Sequence, residues 1–517
     1  MMKPHVDNLW LVALASKCKS LSPSHTIILA FVFSLSWLIL NMIFWAHPGG
    51  SAWGRYRWAK LFFFHRAIPG PRGVPVVGSM DLMAGLSHCR LASAAESCGA
   101  KRLMAFSLGE TRAVVTCNPE VARDILNGSS FVDRPAKESA YELMFSRSIG
   151  FAPYGLYWTT VRRIASAHLF CPKQLKASAH QRLELANMMA EALDCSGKEG
   201  EPICVRNVLK LASLNNMMYA VFGRRYVLDS ANTETAELRD LVEEGYDLLG
   251  QLNWSDHFSF LADFDVQKIR SRCARMVPRV NRIVGRIMAE RDTTGLDFAD
   301  VLLSLKGPDR LSESDMISLL WEMIFRGTDT VAVVMEWILA RLVLHQDVQS
   351  RVQHELDAVV GKTRAVTESD LTDLVYLTAV VKEVMRLHPP GPLLSWSRLS
   401  IRDSTVGGYR VPAGTTAMVN VWAISRDPDN WPDPLSFKPE RFLMGEEITD
   451  LRLAPFGSGR RSCPGKVMGM TAVSFWVARL LHEFAFEAAG GVDLSEELRL
   501  SCEMKKPLAV RVRRRMN

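Results

Sequence analysis

The sequence lacks the features that mark several common classes of protein. None of its ten cysteines stands in a C-x-x-C pair, and their irregular spacing argues against a zinc site or a disulfide framework. No block of basic residues with interleaved aromatics occurs, so nucleic acid is not an expected partner. From about residue 76 onward there is no internal repeat, low-complexity tract or long linker. These absences favour one large domain.

Composition supports a large packed core. The chain has 517 residues, of which 48% are hydrophobic, and its formal net charge is +7. This mild excess of positive charge suits an anionic membrane surface or an acidic protein partner. Most of the cysteines are expected to be buried free thiols in a reducing compartment.

A hydrophobic segment near the N-terminus has the length of a membrane span. Residues 26–46 carry no charged side chain, and about 20 apolar residues cross a bilayer, whereas the apolar core of a signal peptide is shorter. More Lys and Arg residues follow this segment than precede it, which predicts a cytosolic body. Four aromatic residues are expected at the membrane interface: Trp45, Trp53, Tyr56 and Trp58.

Three regions are therefore predicted. Residues 1–47 form the N-terminal segment with its anchor, residues 48–75 form a basic, proline-rich hinge, and residues 76–517 form the catalytic domain. The prolines of the hinge restrict the backbone and disfavour a helix there.

The catalytic region is predicted to be mainly α with small β-sheets. One β-hairpin is expected over residues 102–118, with its turn at Gly109 and Glu110, and a second over residues 406–424, with its turn at 412–414. Elsewhere helical periodicity dominates. A long helix is expected to start near Ser312, which has the character of an N-cap. In its middle, Gly327 is followed by a polar triplet at 328–330, which a plain core helix does not need.

The segment F-G-S-G-R-R-S-C-P-G, residues 456–465, carries the strongest chemical signal. Its glycines let the backbone approach a large flat ligand, and Arg461 could meet an anion such as a carboxylate. Cys463 follows two arginines and precedes an apolar helical run at 467–481. Cations and a helix N-terminus favour a thiolate, so Cys463 is expected to be a metal ligand or a nucleophile.

This segment resembles the haem-binding loop of the cytochrome P450 family, matching it at Phe456, Gly459, Arg461, Cys463 and Gly465. The resemblance implies the cytochrome P450 fold and haem b, with Cys463 as the axial ligand of the iron. It also implies that Arg461 binds a haem propionate and that Phe456 packs near the sulfur.

Other segments resemble family motifs in the same order along the chain. E-V-M-R at 383–386, followed by P-E-R-F at 439–442, is similar to the family's Glu–Arg–Arg network, which implies a structural role for Glu383, Arg386 and Arg441. W-T-T-V-R at 158–162 resembles the helix whose Trp and Arg reach the propionates. Further propionate partners implied by these resemblances are Trp158, Arg162 and Arg398.

R-G-T-D-T-V at 326–331 resembles the family's oxygen-activation motif. The resemblance implies that Asp329 and Thr330 relay protons and that Gly327 leaves space near the iron. Arg326 departs from the small residue usual in the family, and Val331 departs from the usual Thr or Ser. Arg326 is expected either to pair with an anionic substrate group or to form a salt bridge to a neighbouring helix. Pocket residues implied by family position are Phe325, Leu393, Leu394 and Trp396.

The anchor, hinge and motif variants look like a plant microsomal, A-type member of the family. W-E-M-I-F-R-G-T-D-T-V-A and G-P-L-L-S-W-S-R-L-S are similar to the subfamily that contains KLUH and the PLASTOCHRON-type proteins. That likeness implies a single-pass protein of the endoplasmic reticulum, hydroxylation of a small lipophilic substrate such as a fatty acid, and a role in plant organ growth. It also implies that electrons come from NADPH through NADPH–cytochrome P450 reductase, for which Arg460 and Lys466 could form a basic docking face.

Three other hypotheses remain open from the sequence. A haem-thiolate isomerase or dehydratase would need no external electrons, and a haem-based sensor would bind a small molecule without turnover. A membrane scaffold without haem is the third. Retention of Asp329 and Thr330 argues against the first hypothesis, and the cysteine loop argues against the third.

Overall fold

The computed structural model describes residues 23–60, 66–197, 201–224, 233–290, 297–394, 397–443 and 450–515. Trp396 lies outside these residues. Helices dominate, as the sequence predicts. They are α1 (Pro23–Trp45), α2 (Ser51–Ala59), α3 (Ser87–Ser97), α4 (Pro119–Asn127), α5 (Glu138–Glu142), α6 (Leu156–His168), α7 (Pro172–Ala177), α8 (Ala179–Gly197), α9 (Val205–Phe222), α10 (Thr233–Gly250), α11 (Ile269–Ala289), α12 (Phe298–Ser304), α13 (Glu313–Leu344), α14 (Gln346–Val359), α15 (Val375–Leu387), α16 (Val421–Ile424) and α17 (Lys466–Glu483).

The strands form small sheets beside the helices. They are β1 (Met104–Leu108), β2 (Thr111–Thr116), β3 (Ile203–Cys204), β4 (Arg398–Leu399), β5 (Ser404–Val406), β6 (Tyr409–Val411), β7 (Thr416–Val419), β8 (Phe484–Ala488), β9 (Glu496–Leu498), β10 (Cys502–Met504) and β11 (Ala509–Arg514). The largest sheet has the order β1-β2-β7-β4, and a second has the order β3-β11-β8. Two-stranded ribbons pair β5 with β6 and β9 with β10. The prediction of a mainly α class with small sheets is confirmed.

Helix α1 has the properties expected of a membrane span. Within Ser24–Trp45 an 18-residue window has a mean hydropathy of 2.4, and only 6% of that window is buried against the rest of the protein. It is therefore long and apolar enough to cross a bilayer. Its start and end agree with the predicted span at 26–46 to within a few residues.

The predicted hinge is partly helical and packs against the body of the protein. Helix α2 begins three residues after Pro48 and lies against β1. Trp53 is buried, and its indole N–H donates to the carbonyls of Phe106 (3.1 Å) and Ala113 (3.2 Å). The expectation that Trp53 lies at the membrane interface is wrong, because Trp53 serves the core beside the largest sheet.

One predicted hairpin is confirmed and the other is wrong. β1 pairs antiparallel with β2 about Gly109, whose φ of +52° suits a tight turn. The second segment instead turns at Gly407 and Gly408, where β5 meets β6. After that ribbon the chain passes through 412–414 into the largest sheet, where β7 runs parallel to β2. The strands on either side of 412–414 therefore do not pair with each other.

Helix α13 runs through the centre of the protein and positions the site. The Ser312 hydroxyl accepts from the Asp315 amide at 3.2 Å, which confirms the predicted N-cap. The helix packs against α9 along much of its length and also contacts α15 and α17. Its buried side chains join two large hydrophobic clusters, one on each half of the helix.

Candidate active site

A cavity lies between α13 and the cysteine loop that precedes α17. The cavity is lined by residues of the cysteine loop, of α13, of α17 and of the turn after α15. Those used below are Arg134, Arg162, Met217, Glu322, Arg326, Gly327, Thr330, Val331, Leu394, Arg398, Phe456, Arg461, Cys463 and Gly465. The structure thus brings the cysteine loop and the polar segment of α13 to the same space, although they are more than 120 positions apart in the sequence.

Cys463 lines this cavity and is exposed. The Cys463 amide donates to the Phe456 carbonyl at 3.0 Å. Burial raises the pKa of the thiol, while Arg326, the Gly465 amide and Arg162 lower it. The cations that favour the thiolate are thus Arg326 and Arg162, and burial opposes them; coordination to a metal deprotonates a thiol outright.

Two glycines of the loop meet different needs. Gly465 lines the cavity, as expected of a backbone that approaches a ligand. Gly459 has a φ of +69°, and a Cβ there would come within 2.3 Å of the Leu126 carbonyl oxygen. It is absent from the described wall of the cavity, so its small size serves the contact of the loop with α4.

Four arginine side chains gather along one side of the cavity, from positions 134, 162, 398 and 461. Arg162 donates to the Ser462 carbonyl (2.7 Å) and Arg398 to the Ser458 carbonyl (3.2 Å). Burial and Arg461 lower the pKa of Arg398 to about 9. Burial likewise lowers the pKa of Arg461 to about 10, although Asp133 lies 3.7 Å away and opposes the shift.

This accumulation of positive charge fits haem. These guanidinium groups lower one another's pKa values, so an anion between them relieves their repulsion. Haem carries two propionates, and the guanidinium fork matches carboxylate geometry. A thiol facing the same cavity supplies the soft donor that iron accepts in haem-thiolate proteins. The residues present therefore fit this cofactor.

Arg134 is a member of this group that the sequence analysis missed. It donates to the carbonyls of Gly150 (3.2 Å) and Ser397 (2.9 Å), and burial together with Arg398 and Arg461 holds its pKa well below the ordinary value. In the sequence it is only an arginine before a proline. Trp158, which was expected to reach a propionate, donates its indole N–H to the Ile149 carbonyl at 2.9 Å and packs under the Arg461 guanidinium.

On α13 the polar segment divides between two faces. Thr330 lines the cavity, and its hydroxyl donates to the Arg326 carbonyl at 3.4 Å. Asp329 is buried and faces away toward α9, where Lys210 Nζ lies 3.5 Å from its Oδ1. Gly327 lines the cavity, and a Cβ there would meet Met217 Sδ at 2.4 Å, so it also allows α9 to pack closely.

Arg326 forms an ion pair with an acid on its own helix. Its Nη1 lies 3.5 Å from Glu322 Oε1, one turn earlier on α13. Glu322 is buried and also accepts from the amides of Ile149 and Gly150, both at 2.7 Å. The side chain of Arg326 remains 37% exposed, on the wall of the cavity. It is therefore placed to meet a ligand in the cavity.

The pocket residues expected from family position lie in different environments. Leu394 lines the cavity. Leu393 instead packs against the cluster around β1 and β2. Phe325 is wrong as a pocket residue, because it is fully buried in an aromatic cluster with Phe145, Tyr246 and Trp321.

The Glu–Arg–Arg group lies behind the cavity, in the core. Arg386 binds Glu383 through two bonds, Nε to Oε2 at 2.7 Å and Nη2 to Oε1 at 2.9 Å. Both side chains have no exposed surface. Arg441 Nε lies 3.4 Å from Glu383 Oε1. Arg386 also donates to the carbonyls of 425, 434 and 436, so this group ties α15 to the segment that leads to the cysteine loop.

A second cysteine lies in a separate polar cluster. The donor atoms of Cys502, His88 and Glu496 lie within 4.8 Å of one another. His88 Nε2 is 2.9 Å from Glu496 Oε2, and Arg426 Nη2 is 3.6 Å from Oε1. Burial and Glu496 strongly raise the pKa of the Cys502 thiol. Cys502 is absent from the described wall of the cavity, so the cluster is separate from it. Glu496 and Arg426 form a buried ion pair, and the neutral thiol of Cys502 lies beside it.

A cysteine that shares one cavity with a central helix and four buried or half-buried arginines is the arrangement expected of a haem-thiolate enzyme. A sequence model of the family described as "Cytochrome P450" matches residues 68–509. The chain therefore belongs to the cytochrome P450 family, whose members are haem-dependent monooxygenases.

Similar proteins come from several plants. The chain is 59% identical to "Cytochrome P450 78A9" of Arabidopsis thaliana, over 98% of this chain and 97% of that one. It is 58% identical to "Cytochrome P450 78A3" of Glycine max, over 99% of this chain and all of the other. A more distant relative is "Flavonoid 3'-monooxygenase" of Arabidopsis thaliana, 34% identical over 87% of this chain and 92% of that one. The resemblance to the KLUH-type subfamily, the 78A group, is confirmed.

Proposed function

We propose that this protein is a membrane-anchored monooxygenase that hydroxylates a fatty acid or a similar small lipophilic acid in plant organ growth. The observation that carries the proposal is one cavity whose wall includes both Cys463 and Arg326. Much of the remaining wall is apolar, including Met217, Val331 and Leu394. A chain with one acidic end matches such a cavity, because apolar walls take the hydrocarbon and a few placed polar groups orient it.

The residues divide the work of the reaction. Haem, held by Cys463 and the arginines, supplies the binding and reduction of dioxygen with electrons that reach it from NADPH. Thr330 lines the cavity, and its hydroxyl, which donates to the Arg326 carbonyl, can accept a hydrogen bond from a proton donor held there. Asp329, whose pKa burial raises to about 6, can take up and release protons near neutral pH. The Glu383 network ties α15 to the segment that leads to the cysteine loop.

Replacing Arg326 tests the substrate class. In Arg326→Leu, dodecanoic acid should bind about 10- to 100-fold more weakly, because a charge-assisted hydrogen bond contributes about 1.5–3 kcal/mol. Dodecan-1-ol should bind as before, and Arg326→Lys should restore part of the affinity for the acid. The measurement is a spectral titration of the purified full chain with each ligand. Equal losses for the acid and the alcohol would show that Arg326 shapes the cavity without recognising charge.

The proposed location is the endoplasmic reticulum, with the catalytic domain in the cytosol. Helix α1 supports a single span, and the cations that follow it support this orientation. Trp45 and Trp58 flank the end of the span, and Trp58 remains exposed, as suits a membrane interface.

The proposed electron donor is NADPH–cytochrome P450 reductase, bound at a basic face beside the cysteine loop. Arg460 and Lys466 are both exposed and lie on either side of Cys463 in the chain. Positive charge at that position can steer an acidic partner.

Reversing both charges, by Arg460→Glu with Lys466→Glu, should slow reduction by the reductase about tenfold or more at low salt, with a smaller effect at high salt. The absorption spectrum should not change. Lys505→Glu with Lys506→Glu reverses two exposed lysines after β10 and serves as the matched control. Stopped-flow reduction decides: equal rates in both double variants and the parent protein would remove this docking face.

A further inference from the structure

Charged side chains from α9, α10 and β10, together with Arg499 before β10, surround Asp329. Lys210, on α9, lies at its centre: Nζ is 2.6 Å from Glu243 Oε1 on α10, 3.5 Å from Asp329 Oδ1 on α13 and 3.7 Å from Glu503 Oε2 on β10. Arg499 Nη1 closes the cluster, 2.8 Å from Glu243 Oε2 and 3.7 Å from Glu503 Oε1. The Lys210 ammonium group therefore lies between three carboxylates.

The cluster reaches from the interior to the surface. The side chain of Asp329 is 5% exposed and that of Lys210 is 13% exposed, whereas that of Glu243 is 36% exposed. Arg206 extends the cluster on the other side, 3.8 Å from Glu503 Oε2 and 2.8 Å from Glu336 Oε2. Asp329 thus has a charged connection to solvent on the face of α13 that points away from the cavity.

We propose that Lys210 is a positioning residue for proton delivery, which holds the Asp329 carboxylate charged and in place beside Thr330 by joining α9, α10 and β10 around it. This inference rests on the proposed relay role of Asp329 and deepens it. Helix α13 alone cannot determine whether Asp329 is protonated, because the ammonium group that compensates its charge belongs to Lys210 on α9.

The balance of charges around Asp329 gives the direction of the effect. Burial raises its pKa to about 6, Lys210 lowers it, Glu243 and Glu503 raise it, and Arg499 lowers it. Tyr246, on α10, also interacts with Asp329. Without Lys210, burial and the like charges of Glu243 and Glu503 would raise the pKa of Asp329, and mainly Arg499 would lower it. The Asp329 carboxyl would then hold its proton to a higher pH, and at neutral pH it would be mostly uncharged.

Lys210→Met tests this inference in the full chain loaded with haem. We expect the midpoint for ionisation of Asp329 to rise by about 1–3 pH units, the range for loss of a charge at this distance. Infrared titration of the protonated carboxyl band measures it, with Asp329→Asn identifying the band. With reductase and dodecanoic acid as the probe substrate, the pH profile of NADPH consumption should move in the same direction. Lys210→Arg should keep both midpoints near those of the parent protein.

Matched variants distinguish positioning from a structural role. Lys173→Met removes an exposed lysine from α7 and should change neither midpoint. Adding Lys210→Met to Asp329→Asn should cause no further movement of the pH profile. An unmoved infrared midpoint in Lys210→Met would overturn the inference, as would a moved midpoint without a change in the pH profile. If Asp329→Asn itself leaves NADPH consumption and product formation intact, the relay role of Asp329 fails, whatever the infrared result.

Discussion

Glu383→Gln is expected to prevent accumulation of stable, haem-loaded protein. The carboxylate is completely buried and compensates Arg386 through two bonds of 2.7 and 2.9 Å. Removing one partner of a buried ion pair costs about 3–5 kcal/mol, because the other charge remains uncompensated in the core. A whole domain has a free energy of unfolding of only about 5–15 kcal/mol. This single substitution is therefore expected to remove a large share of the free energy of unfolding.

The measurement is thermal unfolding together with the haem content of the purified protein. Glu120→Gln is the matched control, because Glu120 pairs with Arg102 at 3.1 Å on the exposed surface, where ion pairs contribute little. We expect the control to unfold like the parent protein. A Glu383→Gln protein with unchanged unfolding temperature and full haem content would contradict the structural role of the network.

The parts of the site that the sequence predicts are those in which neighbouring residues carry the chemistry. The cysteine loop has its ligand, its arginine and its glycines within ten residues, and Glu383 and Arg386 are one helical turn apart, where side chains meet. The extent of α13 follows from its N-cap at Ser312 and its apolar periodicity. These signals are local, so they are readable before any tertiary contact is known.

Other parts depend on packing between distant segments, which periodicity does not encode. Lys210 meets Asp329 only because α9 crosses α13. Phe325 neighbours the oxygen-activation motif in sequence but points into an aromatic core. The 406–424 segment has the alternating pattern of a hairpin. However, β7 pairs with β2, which lies far away in the sequence, and not with the strand that precedes it. Trp53 is buried because α2 folds back onto the largest sheet.

Cys463→Ser is expected to abolish thiolate ligation while leaving the fold intact. Serine is close in size to cysteine, and the amide of 463 keeps its bond to the Phe456 carbonyl. The hydroxyl is a hard, weakly acidic donor, whereas the thiolate gives the iron its electron-rich axial ligand. We therefore expect complete loss of monooxygenase turnover, with the hydrophobic clusters and the Glu383 network unchanged.

The most direct test of thiolate-ligated haem at Cys463 is the absorption spectrum of the reduced protein with carbon monoxide. The parent protein should show the strongly red-shifted Soret band of a haem-thiolate centre. Cys463→Ser should lose that band, and Cys502→Ser, which changes the buried thiol beside Glu496, should keep it. A band that persists in Cys463→Ser, or a folded parent protein without haem absorption, would contradict the assignment.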